Sequence, residues 1–132
     1  MKVCPSAFLA AALAILLLPA GQALAAGTNL VIVEAYGGGG NSGSTYKNDF
    51  IGLFNRGTSD VNVAGWSVQY SSSAGTAWQV TPLTSVIIPA GGYYLIQESA
   101  GAGGTVDLPT PDATGTILMG ASGFKVALVS TT

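Results

Sequence analysis

Glycine and small hydroxyl residues constrain the fold of this chain more than any other feature. Residues 26–132 contain 18 glycines and 23 serines plus threonines. Glycine has a low helix propensity, and serine and threonine compete with the helix backbone for hydrogen bonds. Short runs rich in valine, isoleucine and aromatic residues lie between them, a pattern typical of strands joined by turns. The sequence therefore predicts an all-β domain and no helix.

Eight segments are predicted to be strands: residues 30–36, 49–55, 65–70, 78–80, 85–88, 93–97, 116–119 and 125–129. In segment 65–70, Trp66, Val68 and Tyr70 alternate with polar residues, so these three side chains should face the core. Segment 49–55 carries apolar side chains on both faces, which predicts burial on both sides. Short strands separated by turn signals favour one antiparallel β-sandwich domain.

The first 25 residues are predicted to be a secretory signal peptide. Lys2 precedes an apolar run over residues 7–18, which is shorter than the roughly 20 residues needed to span a bilayer. Ala23 and Ala25 provide the small residues that precede a cleavage site, so we expect cleavage after Ala25. Cys4, the single cysteine, would leave with the signal. The chain is therefore expected to be secreted or held at the cell surface, with no membrane span after cleavage.

The charge balance excludes several classes of function. Residues 26–132 carry three basic and six acidic side chains, without the clusters of lysine and arginine typical of nucleic-acid binding. The chain has no histidine, so a nucleophilic serine would have only Lys47 or Lys125 as a base. Glu34 and Glu98 are interpreted as residues on the solvent faces of strands. No catalytic residue and no bound cofactor are predicted.

Residues 38–43 match the pattern G-x-G-x-x-G and follow a predicted strand. A dinucleotide site would also need a helix that begins in this loop and holds the pyrophosphate at its amino terminus. Residues 44–48 instead lead into the next strand. We therefore interpret this segment as a flexible loop.

The acidic side chains could supply oxygen ligands for calcium outside the cell. Asp49, Asp60, Asp107 and Asp112 are the candidate oxygen ligands. Their spacing lacks the tight Asp-x-Asp-x-Asp-Gly pattern of a calcium loop, and aspartate commonly stabilises turns. Roles in turns are therefore favoured over calcium binding.

Three segments carry a resemblance to a known family. They are DFIGLFNRG at residues 49–57, VAGWSV at 63–68 and IPAGGYYLI at 88–96. Their order and spacing resemble a lamin-tail domain, and YGGGGNSG at 36–43 and LPTPDATG at 108–115 resemble its bacterial secreted form. The residues that carry the structural motif are Asp49, Asn55, Gly65, Trp66, Pro89, Gly91, Gly92 and Tyr93. The resemblance implies an immunoglobulin-like β-sandwich without catalytic residues.

Two departures from the family pattern matter. Relatives usually have a glutamate where this chain has Gly52, and a glycine weakens a strand by about 0.5–1 kcal/mol. Relatives also continue beyond residues 125–129 with a further strand, so an unpaired sheet edge and a truncated domain are expected here. Gly65 and Trp66 are interpreted as a turn followed by a core residue. One of Tyr93 and Tyr94 should face the solvent, because neighbouring side chains on a strand point to opposite sides.

The functional hypothesis is a non-catalytic exported module for binding or attachment. In bacteria, the resemblance implies a position upstream of an endonuclease/exonuclease/phosphatase domain, so the expected partner is a covalently linked hydrolase. The alternative is a stand-alone surface module that binds a glycan or a protein. Direct nucleic-acid binding is not expected in either case.

Overall fold

The computed structural model describes residues 29–130, which form nine strands and no helix. The strands are β1 (Leu30–Tyr36), β2 (Asn48–Asn55), β3 (Val61–Asn62), β4 (Ser67–Ser72), β5 (Gln79–Pro82), β6 (Ile87–Ile88), β7 (Tyr93–Ala100), β8 (Ala113–Thr114) and β9 (Phe124–Val129). Within this range no helix is long and apolar enough to cross a membrane. The predicted signal peptide lies outside the described residues.

The strands form three sheets. A four-stranded sheet has the order β1-β2-β7-β8, a three-stranded sheet has the order β5-β4-β9, and β3 pairs with β6. All these pairs are antiparallel except β7 with β8, which are parallel. The all-β, immunoglobulin-like sandwich expected from the sequence is confirmed.

The core lies between the four-stranded and three-stranded sheets. Ile51 and Leu53 of β2 are fully buried, and Trp66, Val68 and Tyr70 face them from the β4 side. The alternation predicted for residues 65–70 is therefore correct. Other buried apolar residues of this core are Leu30, Val63, Leu83, Ile88, Tyr94, Ile96, Ala113, Ile117 and Met119.

The structure differs from the predicted strands in two places. Residues 116–119 were predicted to be a strand but form no ladder with a neighbouring strand, because side-chain carboxylates accept two of their backbone N–H groups. The two-residue strands β3 and β8 were not predicted, since two residues carry no readable alternation. The predicted segments 78–80 and 85–88 correspond to β5 and β6 with shifted ends.

Candidate binding surface

Asp49 lies buried near the start of β2 and connects two distant segments to the sheet. Its Oδ1 accepts a hydrogen bond from the Gly39 N–H at 2.6 Å, and its Oδ2 accepts one from the Met119 N–H at 2.7 Å. Burial raises the pKa of the Asp49 carboxyl, although hydrogen bonds from the Met119, Gly39 and Gly38 amides act in the opposite direction. Asp49 is thus a structural acceptor for the backbone.

Glu98 was predicted on a solvent-exposed face, and this prediction is wrong. Its side chain is 1% exposed and lies on the core side of β7, like that of Ile96 two residues earlier. Its Oε2 accepts a hydrogen bond from the Ile117 N–H at 3.0 Å, whereas Oε1 has no hydrogen-bond partner among residues 29–130. Burial raises the pKa of Glu98, hydrogen bonds from Thr81 and Ile117 oppose this, and the charge of Asp49 raises the pKa further.

The other candidate calcium ligands lie apart from Asp49 and have separate roles. The Asp60 Oδ1 accepts a hydrogen bond from the Ala90 N–H, and the Asp112 Oδ2 accepts one from the Leu95 N–H. Asp107 forms an exposed ion pair of 2.9 Å with Lys47. In the described part of the chain, no group of three or more acidic, cysteine or histidine side chains could hold a metal ion. The structure therefore brings no calcium site together from these aspartates.

The two lysines considered as bases are also engaged. The Lys47 ammonium pairs with Asp107, and the Lys125 Nζ donates a hydrogen bond of 2.6 Å to the Gly75 carbonyl. The Lys125 ammonium also lies 5.7 Å from the centre of the Trp78 ring. Neither lysine has a serine hydroxyl as a hydrogen-bond partner within residues 29–130.

Asn55, at the end of β2, holds the corner that precedes β7. Its Nδ2 donates to the Ser59, Ile88 and Pro89 carbonyls at 2.9–3.1 Å, and its Oδ1 accepts from the Gly57 N–H. The Asn55 backbone also bonds to Gly91 and Gly92 in the turn before β7. Gly91 has a φ of +73°, a conformation that residues with a side chain rarely adopt. The motif residues Asn55, Pro89, Gly91 and Gly92 are therefore joined by hydrogen bonds at one corner of the fold.

Gly65 and Trp66 are the motif residues that precede β4. Gly65, directly before it, has a φ of +77°, and the Trp66 N–H closes this turn on the Val63 carbonyl. The Trp66 side chain is 9% exposed and belongs to the core. The interpretation of this pair as a turn followed by a core residue is in accord with this geometry.

The glycine segment after β1 is packed rather than loosely held, contrary to its interpretation as a flexible loop. Gly38, Gly39 and Gly40 are all buried. A Cβ atom at Gly39 would lie 2.1 Å from the Asn48 carbonyl carbon, so no side chain fits there. The glycines therefore allow the loop to approach the start of β2 closely enough for Asp49 to bind it.

Aromatic side chains cover one end of the outer face of the four-stranded sheet, the side turned away from the core. Tyr36 of β1 stacks on Phe50 of β2, with ring centres 5.2 Å apart. Tyr46 packs edge-on against both rings at 5.4 Å. Phe50 is buried beneath this cluster, although its side chain points away from the core. The sequence predicted burial on both faces of β2, and this cluster explains it.

A second aromatic pair lies towards the other end of the same outer face. Tyr93 of β7 lies opposite Phe54 of β2, and their ring centres are 4.6 Å apart. Tyr93 is 73% exposed, whereas Tyr94 is 2% exposed and bonds through its hydroxyl to Thr84. The expectation that one of these tyrosines faces the solvent is thus met by Tyr93.

Gly52 lies between the two aromatic groups along β2 and leaves a gap in the outer face. Glu34 of β1 and Leu95 of β7 are its neighbours across the strands. Val33, at an irregularity in β1, is 51% exposed beside it. Position 52 carries no side chain, but Glu34 places a carboxylate next to the same point. We define the outer aromatic face by Tyr36, Tyr46, Phe50, Phe54 and Tyr93 around Gly52.

The sequence alone does not predict the outer aromatic face. No local sequence pattern indicates that Tyr36 and Tyr46 contact Phe50, because these contacts form only after β1 and β2 pair. The alternation of Phe50, Gly52 and Phe54 marked one strand of the face. The pairing register of β1 with β2 and of β2 with β7 then places Tyr36 beside Phe50 and Tyr93 beside Phe54.

Comparison with known proteins agrees with this architecture. The family model described as Lamin Tail Domain matches residues 23–132. No curated protein matches the chain at a significant level. The family consists of non-catalytic domains with an immunoglobulin-like fold, and the sheets and core described above agree with that fold. The chain therefore belongs to the lamin tail domain family.

Proposed function

We propose that this chain is an exported accessory module that attaches a larger secreted nuclease or phosphoesterase through its outer aromatic face. The exposed Tyr93 ring, supported by Phe54 on a rigid sheet, is the observation that carries the proposal. Exposed aromatic residues supply large contact areas at a low cost in conformational entropy. The ligand expected on this face is a component of the cell surface or a protein.

The acidic side chains support a binding role over a catalytic one. Asp49 and Glu98 are buried and accept hydrogen bonds from the backbone, so they are not positioned to meet a substrate. Paired carboxylates in glycoside hydrolysis, by contrast, must flank the scissile bond. In this proposal the hydrolytic chemistry belongs to a linked domain. A stand-alone adhesion module is the alternative.

The binding role can be tested on washed cells of the producing organism. The purified chain should bind to these cells saturably, and Tyr93→Ala should weaken binding by about tenfold or more, as expected when a large aromatic contact residue is truncated. Ile87→Ala is the matched control, because Ile87 is 63% exposed but lies in the small β3–β6 sheet. Equal binding by both variants would refute attachment through the outer aromatic face.

The proposed link to an enzyme needs a separate measurement. An antibody raised against residues 26–132 should detect a secreted species much larger than this segment in the culture medium. A species of about 10 kDa, estimated from roughly 100 residues at typical composition, would favour the stand-alone module. Cleavage of DNA or a phosphate ester by residues 26–132 alone, abolished by substitution of one aspartate, would refute the non-catalytic role.

A further inference from the structure

Gly52 leaves an open gap in the middle of the outer aromatic face. Apart from atoms of the adjacent residues, a Cβ atom at this position would have only two heavy atoms of residues 29–130 within 4 Å, the Glu34 Cβ at 3.6 Å and the Val33 Cγ2 at 3.7 Å. Leu95 of β7 is the neighbour on the other side of Gly52, but it is not among these contacts. No side chain of the described residues therefore fills the space above Gly52.

The walls of this gap are apolar. Phe50 and Phe54 lie two residues before and after Gly52 and point to the same side of β2, because the side chains of a strand alternate. Val33 and Leu95 flank Gly52 on the neighbouring strands. Alternate residues of a strand are about 6.6 Å apart, so the gap between the two phenylalanines accepts about one side chain.

The rim of the gap carries negative charge. Glu34 of β1 lies opposite Gly52, its side chain is exposed, and it forms no ion pair within residues 29–130. Asp112 is also exposed, and its Oδ2 accepts a hydrogen bond from the Leu95 N–H on the other side of the gap. One carboxylate therefore lies at each side of the gap.

No basic residue of the described part of the chain forms an ion pair with Glu34. The Lys47 ammonium pairs with Asp107, and Lys125 belongs to β9 in the other sheet. Arg56 follows the end of β2, four residues beyond the gap and about 13 Å from it at the rise of a strand. A cation that pairs with Glu34 therefore has to come from outside residues 29–130.

We propose that the gap above Gly52 binds a lysine or arginine side chain of a partner protein, an inference that rests on the attachment role proposed above for the outer aromatic face. Such a side chain consists of an apolar stem and a positively charged head. The stem would lie between Phe50 and Phe54, and the head would pair with the Glu34 carboxylate at the rim. The exposed Tyr93 ring beside Phe54 would contact the surface around this side chain.

Charge and shape favour this occupant over others. A small cation would pair with Glu34 but leave the apolar walls of the gap in contact with water. An anionic polymer would be repelled by Glu34 and Asp112, and a neutral sugar would leave both charges unpaired. Of these ligands, only the basic side chain covers the walls and also pairs with the carboxylate.

A capped hexalysine peptide added to the purified chain tests the site directly by NMR. The backbone amides of Glu34, Gly52 and Leu95 should shift saturably, with a dissociation constant of about 0.1–1 mM, which is a weak affinity. Raising sodium chloride from about 0.05 M to about 0.5 M should weaken binding by about threefold or more, because salt screens exposed charges. A capped hexaglutamate peptide should leave these amides unshifted.

Variants at Glu34 separate charge from shape. Glu34→Gln keeps the size of the side chain but removes its charge, so it should weaken hexalysine binding by about threefold. Glu34→Lys should abolish binding, since it places a like charge at the rim. Asp60→Asn is the matched control, because it removes the same charge from an exposed residue between β2 and β3 that bonds to the Ala90 N–H. The control should bind hexalysine as the parent chain does.

Binding to washed cells distinguishes this inference from the attachment role. If both are correct, Tyr93→Ala and Glu34→Gln each weaken binding to the cells, and about 0.5 M sodium chloride releases the bound chain. Cell binding that depends on Tyr93 but on neither Glu34 nor salt would overturn the basic ligand and leave attachment in place. Hexalysine binding at Gly52 by a chain that does not bind cells would support the basic ligand and refute attachment.

Two results of the titration would overturn the proposal by themselves. The first is the absence of hexalysine-induced shifts at Gly52, or shifts that Glu34→Gln leaves unchanged. The second is larger shifts of the same amides with the neutral sugar cellopentaose, which would assign the gap to a glycan.

Discussion

Asn55 shows how one polar side chain can determine the shape of a loop in this molecule. Because its Nδ2 donates to three backbone carbonyls, the residues after β2 and before β7 are held to one atom. Loss of the amide group at residue 55 would remove this shared donor from all three carbonyls, of which the Pro89 carbonyl also accepts from the Gly92 N–H in the turn. The role of Asn55 is therefore electrostatic as well as steric.

Asn55→Asp should unfold the domain far more readily than its small change in shape suggests. The substitution replaces a donor with an acceptor that faces three carbonyl oxygens, and a buried unsatisfied group costs about 1–3 kcal/mol, or more when charged. We expect a loss of at least about 3 kcal/mol in the free energy of unfolding, measured with urea. Asn62→Asp is the control, because the Asn62 Oδ1 only accepts a hydrogen bond, from Ala64. Similar losses in both variants would contradict this explanation.

Gly52 offers a test of stabilisation at a single residue. Its φ is not positive, and a Cβ atom there would lie 3.6 Å from the Glu34 Cβ and 3.7 Å from the Val33 Cγ2, which are ordinary contacts. Gly52→Ala should therefore raise the free energy of unfolding by about 0.5–1 kcal/mol. Thermal unfolding would measure the change. Gly52→Glu should be less stable than Gly52→Gln, since Glu34 lies directly opposite; the reverse order would contradict this.

Among the elements of the fold, residues 115–119 form hydrogen bonds to neighbouring segments as a strand would, although they do not form a regular strand. The Ile117 and Met119 N–H groups bond to carboxylates, and the Ser99 N–H and Gly38 N–H bond to the Ile117 and Met119 carbonyls. Both kinds of bond hold the segment over the end of the core. The segment thus takes the place of a strand at the Asp49 end of the sandwich.

Amide exchange should reveal this arrangement. We expect the amides of Ile117 and Met119 to exchange as slowly as those in the centre of β2, since all of them lie in the buried core. Asp49→Ala should speed exchange at Met119 and Gly39 together, because both amides lose the same acceptor. Asp60→Ala is the control with an exposed carboxylate. Fast exchange at Met119 in the parent chain would contradict the role of Asp49.

The elements differ in how far the sequence predicts them. β1, β2, β4, β7 and β9 were predicted because each carries several apolar or aromatic residues in a readable pattern. The charge of Glu98 favours a solvent-exposed position, whereas its alternation with Tyr94 and Ile96 along β7 indicates the core side, and the alternation is correct. The carboxylate bonds to residues 117 and 119 were not predictable, since their partners lie 19 and 70 residues away in the chain.

For the whole molecule, the two buried carboxyls give stability an unusual dependence on pH. The pKa values of Asp49 and Glu98 are raised in the folded state above ordinary values of 3.8 and 4.5. The folded domain therefore binds more protons than the unfolded chain between those values and the raised ones. Their contribution to stability is fully present below the ordinary values and is lost as the pH rises through the raised values.

The free energy of unfolding should consequently increase as the pH is lowered from 8 towards about 4, across the window set by the ordinary carboxyl pKa. Glu98→Gln should flatten this dependence, because the amide does not titrate in that range. Urea unfolding at several pH values would measure both slopes. Asp60→Asn, at an exposed position, is the control and should keep the parent slope. A parent chain that loses stability on acidification through this range would contradict the assignment.

The order of contacts along the chain affects how synthesis and folding can be coupled. β2 can pair with β7, and β4 with β9, only after the later strand of each pair has been synthesised. Asp49 likewise gains its second backbone donor, the Met119 N–H, only when residue 119 has been added. Such distant pairings make folding slow compared with that of local structures. A nascent chain that still lacks residues 113–129 would have two incomplete sheets, and its Asp49 carboxylate would lack the hydrogen bond from the Met119 N–H. The domain should therefore fold after translation of almost its entire length, rather than progressively from its amino terminus.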